Sequence, residues 1–445
     1  MNFLDSYFHL SEKGTNVKTE VIAGITTFLA MAYILGVNPM ILADAGMDIE
    51  SVFTATALSA AVASIIMGVM ANYPVALAAG MGVNALFAYT ICGAMGYSWQ
   101  AALAAVFLSG VIFVIISVTG VRKMIIDAIP VQLKLAIGAG IGFFIAFVGL
   151  KNAGIIIASE STFVGMGNFS DATVLLAIFG ILVTIFCVVK KVPAAVFVGL
   201  VVTAVAGVIL GMVGFENMPV FGGVFAFDFK LGAAGAFMNG FTELFANPFN
   251  AIVVIFSFLF VDFFDTAGTL VAVGTEVGLV NDKGELEGAE RALLADSIGT
   301  VFGAAIGTST VTSFVESSSG VGVGGRTGLT AVVTGILFLL SIFISPLVLS
   351  LITNAVTAPA LVVVGVMMAR QMKGIDWDNM VYAVSAFITI ISMILTYSIS
   401  NGIAFGFVAY TVAMISAGKT KEIHPTVWVL MVIFVLYFAS PYMSF

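Results

Sequence analysis

The sequence predicts an all-α protein that crosses a membrane many times. Of its 445 residues, 61% are hydrophobic and only 9% are charged, and the mean hydropathy of +1.17 is far above that of soluble domains. The apolar residues form runs of the length that a helix needs to cross a bilayer, about 20 residues. Basic residues lie between alternate runs, as they do in cytoplasmic loops. These observations place the chain in a lipid bilayer.

Fourteen segments have the length and composition of a crossing, in two sets of seven. The first set lies near 20–42, 52–71, 74–93, 98–120, 129–150, 171–189 and 192–214. The second set lies near 248–272, 291–306, 308–325, 327–348, 355–372, 379–398 and 400–417. An amphipathic piece is expected near 231–246. The last apolar run, 427–439, is short for a crossing, so we expect it at the interface or packed against the bundle.

The basic residues orient these spans. With the N-terminus inside, thirteen of the 16 Lys and Arg fall on the cytoplasmic side, the remainder being Lys134, Lys151 and Lys230. Lys134 lies near the cytoplasmic start of the fifth span, and the other two fall outside. The even count then puts both termini in the cytoplasm. The polar start predicts no cleavable signal, so the first span directs insertion into the cell (inner) membrane.

Two sets of seven spans with a cytoplasmic start have opposite orientations, which is the inverted repeat of many secondary transporters. In the fourth span, Ser109-Gly-Val-Ile-Phe113 echoes Thr334-Gly-Ile-Leu-Phe338 of the eleventh. The third and tenth spans are both short and interrupted by glycine, and the stretch from Thr308 to Arg326 is rich in Ser, Thr and Gly. Corresponding broken spans of this kind indicate a binding site near the bilayer midplane.

Three acids lie inside apolar runs, where a charge costs about 3 kcal/mol or more. Glu316 belongs to the tenth span, while Asp262 and Asp265 share one face of the eighth, together with Thr266. Helix capping or a structural lysine is the alternative explanation. Because no Lys or Arg lies in the same membrane layer, salt bridges cannot neutralise all of them. We interpret these acids as proton carriers and as hydrogen-bond partners of a neutral ligand.

Two further polar residues have less decided roles. Asn84, in the third span, either contributes its amide to the site or makes an interhelical hydrogen bond. Asp296, at the opening of the ninth span, is interpreted as a helix cap.

Several classes of function are excluded by what the sequence lacks. His9 and His424 lie near the termini, so a histidine-based metal or catalytic centre is not expected. Cys92 and Cys187 lie in apolar runs and are expected as free, buried side chains. No Walker motif occurs, and the run Gly320-Val-Gly-Val-Gly-Gly325 lacks the strand-helix-strand setting of a dinucleotide site. We therefore expect no cofactor, no nucleic acid partner and no enzymatic activity.

Three motifs in order give the chain a specific resemblance. They are Asp262-Phe-Phe-Asp265-Thr-Ala-Gly-Thr, Thr308-Ser-Thr-Val-Thr-Ser-Phe-Val-Glu316-Ser-Ser-Ser-Gly and Gly325-Arg-Thr-Gly-Leu. With them the chain resembles the AzgA-type purine permeases. These belong to the nucleobase–cation symporter (nucleobase–ascorbate transporter) family, which also contains the uracil and xanthine permeases. The likeness runs from Phe3-Leu-Asp-Ser-Tyr-Phe8 and Val37-Asn-Pro39 to the last span.

The resemblance implies an architecture of two domains. The core domain comprises residues 1–120 and 248–348, and the gate domain comprises 121–247 and 349–445. Short strands in the third and tenth spans are implied to meet near the midplane. Members look like homodimers joined through the gate, in which the core moves as an elevator.

The resemblance also implies roles for individual residues in proton symport of a purine (adenine, guanine and/or hypoxanthine). Asp262 and Glu316 hold the base and Asp265 couples proton movement, with Asp262 and Glu316 as further proton carriers. The remaining substrate contacts are expected from Gly82, Asn84, Thr266, Phe314, Val315 and Ser317. A uracil, xanthine or sodium-coupled carrier is the alternative. The uracil and xanthine branches, however, have glutamate where this chain has Asp262. An anion exchanger of the same fold is expected to lack an acid at Glu316.

Overall fold

The computed structural model describes residues 3–119, 130–227, 229–279 and 286–439. The chain is mostly helical. The helices are α1 Phe3–Phe8, α2 Val17–Met31, α3 Ile34–Ala43, α4 Ile49–Ile66, α5 Met81–Ala85, α6 Trp99–Thr119, α7 Val131–Asn152, α8 Ala172–Val189, α9 Ala195–Met212, α10 Phe237–Leu244, α11 Pro248–Glu276, α12 Ala289–Ile306, α13 Ser318–Gly322, α14 Gly328–Ser341, α15 Ser345–Leu351, α16 Asn354–Ala369, α17 Met380–Leu395, α18 Ile399–Ser416 and α19 Pro425–Ala439. The strands are β1 Leu77–Ala79, β2 Ile156–Ser159, β3 Phe163–Met166 and β4 Val311–Ser313.

Each of the fourteen predicted segments contains helix, and the third and tenth contain a strand followed by helix. Within the described residues, ten helices are long and apolar enough to cross a membrane. The other four segments are the broken third and tenth, the polar helix α12 and the 16-residue helix α17. The multi-pass character is therefore confirmed, while the count of fourteen and the inverted repeat stay predictions.

Seven of the described helices begin at a residue whose side chain accepts a hydrogen bond from a free backbone N–H group. Asp48 starts α4, and its carboxylate accepts hydrogen bonds from Ser51 N at 2.9 Å and Ser51 Oγ at 2.6 Å. These bonds hold the pKa of Asp48 below its ordinary value. Other capping residues are Asn16, Asp171, Asn247, Thr327, Asn379 and Ser398.

The long helices pack most extensively in two groups. In the first group, α14 packs against α2 and α4, while α6 packs against α11 and α12. In the second group, α16 packs against α7, α8 and α9, and α17 packs against α7 and α18. Small residues permit close approach inside each group, as is common between membrane helices. The last helix, α19, packs on α18 and buries Phe434 against Phe256 and Phe407, in agreement with one of its two predicted positions.

The crossing of α16 and α7 in the second group depends on glycine. A Cβ added to Gly365 of α16 would lie 2.5 Å from the carbonyl oxygen of Gly142 in α7. It would also lie 2.7 Å from Cβ of Ala146. Neither neighbour is a flexible side-chain end, so the two helices must move apart to accept it.

We therefore expect Gly365→Ala to lower the free energy of unfolding by about 1–3 kcal/mol through overpacking. The melting temperature of the detergent-purified protein measures the effect. Gly165→Ala is the control, because its added Cβ would make an ordinary contact at 3.5 Å with Ser159. Equal melting temperatures for the two variants would contradict the close crossing.

Candidate functional site

The two broken spans meet as a short antiparallel ladder. Strand β1 pairs with β4 so that Leu77, Ala78 and Ala79 face Ser313, Thr312 and Val311. All six residues are buried. The ladder satisfies backbone groups that neither span can satisfy within a helix, as the interior of a membrane requires. The strands that the resemblance implied in the third and tenth spans are thus confirmed.

Further hydrogen bonds extend this ladder to the segment that carries Glu316. The backbone N–H of Phe314 donates to the carbonyl of Ala76 at 3.0 Å. The Ser317 hydroxyl in turn accepts a hydrogen bond from the Ala76 N–H at 3.0 Å. Glu316 therefore lies in a single 3₁₀ turn, Val315–Ser317, whose two sides are fixed to the third span.

Glu316 is held by a residue that the sequence analysis did not identify. The hydroxyl of Tyr33 donates a hydrogen bond to Glu316 Oε1 at 2.6 Å. Tyr33 lies at the break between α2 and α3, and only 1% of its surface is exposed. A tyrosine in the middle of the first apolar span was the available signal, because a buried phenol needs a partner.

Asp262 lies on α11 directly behind strand β4. Its side chain is buried, and its Oδ2 accepts a hydrogen bond from Thr300 of α12 at 3.0 Å. The same hydroxyl lies 2.9 Å from the Val311 carbonyl. Asp265, one turn further along α11, is half-buried, and α11 packs against the turn Val315–Ser317 that carries Glu316.

The interpretation of Asp296 as a helix cap is wrong. Helix α12 begins at Ala289, so Asp296 lies two turns inside it and is fully buried. Its Oδ1 accepts hydrogen bonds from Thr266 at 2.8 Å and Ser313 at 2.9 Å. Asp296 therefore ties the acid-bearing helix α11 to strand β4. The prediction was wrong because it started the helix at residue 291 instead of Ala289, which put Asp296 too near the N-terminal end of the helix.

The Thr266 and Ser317 side chains are engaged within the protein. Besides Asp296, the Thr266 hydroxyl bonds the Thr312 hydroxyl at 2.7 Å, and both threonines are buried. In this arrangement the two predicted substrate contacts hold the strand and the turn in place. Of the other two predicted contacts on this segment, Phe314 is buried beside the Tyr33 ring, whereas Val315 is 41% exposed.

The third-span residues lie at the other end of the ladder. Asn84 Oδ1 accepts a hydrogen bond from Ser309, which precedes β4. A Cβ added to Gly82 would lie 2.6 Å from Ile141 Cγ2, so Gly82 is a point of close approach between the broken third span and α7. The structure therefore brings Tyr33, Glu316 and Asp265 together at one end of β4, and Asn84 at the other.

Several buried polar atoms around the ladder lack a partner within the described residues. They include Asp262 Oδ1, Asp296 Oδ2, Asn84 Nδ2 and Thr310 Oγ1. Unpartnered buried polar atoms are uncommon and call for an explanation such as a ligand, a water or a proton. No three His, Cys, Asp or Glu side chains in the described part of the chain are grouped as a metal site would require.

A second polar cluster lies where residues 86–94 of the third span meet α7 of the second packing group. The Tyr89 hydroxyl donates to Asp44 at 2.8 Å and accepts from Asn152 of α7 at 3.1 Å. Lys151 Nζ lies 4.9 Å from the centroid of the Tyr397 ring. Tyr397 has a φ of +50°, which costs about 1–2 kcal/mol in a residue with a side chain. The cluster lines a cavity of about 510 Å³.

Comparisons with known proteins agree with this membrane architecture. Residues 18–405 match the family model Xan_ur_permease, described as the Permease family. The guanine/hypoxanthine permease PbuG of Bacillus subtilis is 51% identical over 444 residues, covering 98% of this chain and 99% of its own. The adenine permease AdeP of Escherichia coli is 44% identical over 442 residues, covering 97% and 95%.

Solved structures show the same fold at low sequence identity. The transmembrane domain of the cyanobacterial bicarbonate transporter BicA has a TM-score of 0.59 at 16% identity, covering 90% of this chain and 97% of its own. SLC26A9 has a TM-score of 0.66 at 10% identity, covering 93% and 68%.

The hydrogen bonds of Asp296 predict a structural effect. In Asp296→Leu, the Ser313 hydroxyl loses its acceptor, at a cost of about 1–3 kcal/mol for a buried group left unsatisfied. Thr266 keeps only its bond to Thr312. We expect a lower melting temperature in detergent and a smaller loss in Asp296→Asn, which keeps an acceptor oxygen. A Leu variant as stable as the wild-type protein would contradict this role.

Proposed function

The chain belongs to the Permease family Xan_ur_permease, and on that premise we propose that it imports purine nucleobases by proton symport. It is a multi-pass membrane permease and not an enzyme. The proposed substrates are adenine, guanine and/or hypoxanthine. The relative PbuG is named a guanine/hypoxanthine permease, and AdeP is named an adenine permease. The observation that carries the proposal is Glu316, a carboxylate on a broken span that is held by the neutral hydroxyl of Tyr33.

A purine offers N–H donors along one edge, which a carboxylate can accept in charge-assisted hydrogen bonds. We assign this recognition to Glu316, with Asp262 as the second carboxyl and Phe314 as an apolar wall for the ring. The backbone from Phe314 to Ser317 is assigned to the other edge of the base, and Gly82 and Asn84 to the third-span side. Thr266 and Ser317 are assigned positioning roles, because their hydroxyls bond within the protein.

Asp265 is the proposed coupling residue. It is half-buried, whereas Asp262 is 1% exposed, so Asp265 is the better placed of the two to exchange protons with solvent. Its helix, α11, packs against the turn that carries Glu316. In the proposed cycle, one of the acids takes up a proton as the base is loaded, and releasing that proton resets the empty carrier.

The proposed movement is that of an elevator, with the core (1–120 and 248–348) sliding against the gate (121–247 and 349–445). The two helix packing groups support this division. The hydrogen bond between Tyr89, in the proposed core, and Asn152 of α7, in the proposed gate, would have to break during such a movement. As the resemblance implies, we propose a homodimer joined through the gate, in the cell (inner) membrane with both termini in the cytoplasm.

The alternatives differ at the site. BicA is a bicarbonate transporter and SLC26A9 an anion transporter, and both share the fold. An acid at Glu316 opposes that function here, since it repels an anion. A uracil, xanthine or sodium-coupled carrier is the nearer alternative, and uptake measurements with and without a protonophore distinguish coupling to protons from coupling to sodium.

We expect Glu316→Gln to weaken purine binding about tenfold to a hundredfold, because a hydrogen bond to a charged group contributes about 1.5–3 kcal/mol. Radiolabelled purine uptake into cells lacking purine transport measures this, with protein in the membrane quantified in parallel. Glu12→Gln is the control, since Glu12 is exposed. Unaltered affinity in Glu316→Gln would refute the assigned role.

Asp265→Asn should uncouple transport, since an amide cannot carry the proton. We expect the variant to lose accumulation of purine against a gradient while it still exchanges internal for external purine. The measurement is uptake into proteoliposomes with and without an imposed proton gradient. Intact, protonophore-sensitive accumulation would require another coupling residue.

A further inference from the structure

The Tyr33–Glu316 hydrogen bond determines which hydrogen-bonding groups the site presents to a purine. Tyr33 Oη donates to Glu316 Oε1 at 2.6 Å, across 283 positions of the chain. Tyr33 is 1% and Phe314 5% exposed, and the centroids of their rings lie 6.5 Å apart. Because the phenol is enclosed in this way, bulk water cannot readily replace the carboxylate as its acceptor.

Counting hydrogens defines what this pair presents to a ligand. A phenol has one hydrogen, and an ionised carboxylate has none. We take Glu316 as ionised when the base binds, with the coupled proton on Asp265. The hydrogen of Tyr33 is then used in the bond to Glu316, so the pair retains acceptor lone pairs and no donor. A base that faces Glu316 must therefore present N–H groups.

Purines differ in this property along the edge that contains N1. In a 6-oxopurine, N1 carries a hydrogen, and guanine adds the N–H groups of its 2-amino substituent. Adenine has the N–H groups of its 6-amino substituent on this edge, but its N1 is an acceptor. With the N1 edge turned to the site, that acceptor would face the oxygens of Glu316 and Tyr33 without a hydrogen between them. A site built around hydrogen bonds discriminates strongly against a ligand that leaves buried polar groups unpaired.

We propose that Tyr33 is a specificity-determining residue that makes this chain prefer 6-oxopurines to adenine. The inference rests on the proposed function, since it assumes that the base binds at Glu316. Tyr33 acts here in two ways. Its hydroxyl orients the carboxylate, and its only hydroxyl hydrogen is engaged with Glu316 and so is not available to N1 of adenine.

Competition for uptake of radiolabelled hypoxanthine tests the preference in the wild-type chain. We expect guanine and unlabelled hypoxanthine to compete at concentrations at least about tenfold lower than adenine does, the equivalent of one hydrogen bond. 1-Methylhypoxanthine, which lacks the N1 hydrogen, should compete as poorly as adenine. Adenine or 1-methylhypoxanthine competing as well as guanine would overturn the inference and leave purine transport itself standing.

Tyr33→Phe tests the residue, since it removes one oxygen atom and keeps the ring beside Phe314. We expect KM for hypoxanthine to rise about tenfold with little change in maximal rate. We also expect the preference over adenine to shrink, because a carboxyl released from the phenol can carry its own proton and donate it to N1. A merely structural defect would weaken both kinds of base alike.

Tyr410→Phe is the matched control, because Tyr410 is another buried tyrosine, in α18. It should leave the ratio of guanine to adenine affinity unchanged. An unchanged ratio in Tyr33→Phe would overturn the assignment to Tyr33. If the wild-type chain transported no purine at all, the proposed function would fail first, and this inference with it.

Discussion

The structure depends on how two broken spans satisfy their backbone inside a membrane. A span that leaves the helix exposes peptide groups that lipid cannot bond. Here β1 and β4 bond each other, and the N–H groups of Phe314 and Ala76 complete the arrangement with Ala76 O and Ser317 Oγ. Because the backbone N–H and C=O groups are satisfied in this way, the turn after β4 can present Glu316 instead of continuing as a helix.

Behind the ladder, hydroxyl groups connect the acids to the strand. The Thr300 hydroxyl lies within hydrogen-bonding distance of both Asp262 and the Val311 carbonyl. Asp296 accepts hydrogen bonds from Thr266 and Ser313. Each acid is thus linked to β4 through neutral groups, without a cation among these bonds. Such an arrangement lets a carboxyl gain or lose a proton without breaking a salt bridge, which is the property that the proposed symport needs.

The sequence predicted the positions of the helices well, because hydropathy and length dominate the choice of segment in a membrane. The predicted segment 98–120, for example, corresponds to α6 at Trp99–Thr119. Glycine interruptions marked the third and tenth spans as broken, and the family resemblance implied the strands within them. Tyr33 and Asp296 were missed for a different reason: their roles come from contacts with Glu316 and Ser313, which are distant in sequence and belong to other helices or strands. Spacing along one helix carries no information about such pairs.

The central claim is that a purine base binds at Glu316, between the broken tenth span and the first. The most direct measurement is a structure of the full chain in a lipid nanodisc with guanine bound. We expect the base to lie with an N–H group about 3 Å from the Glu316 carboxylate and with its ring beside Phe314. Guanine bound away from Glu316, for instance only in the cavity beside Tyr89 and Tyr397, would contradict it.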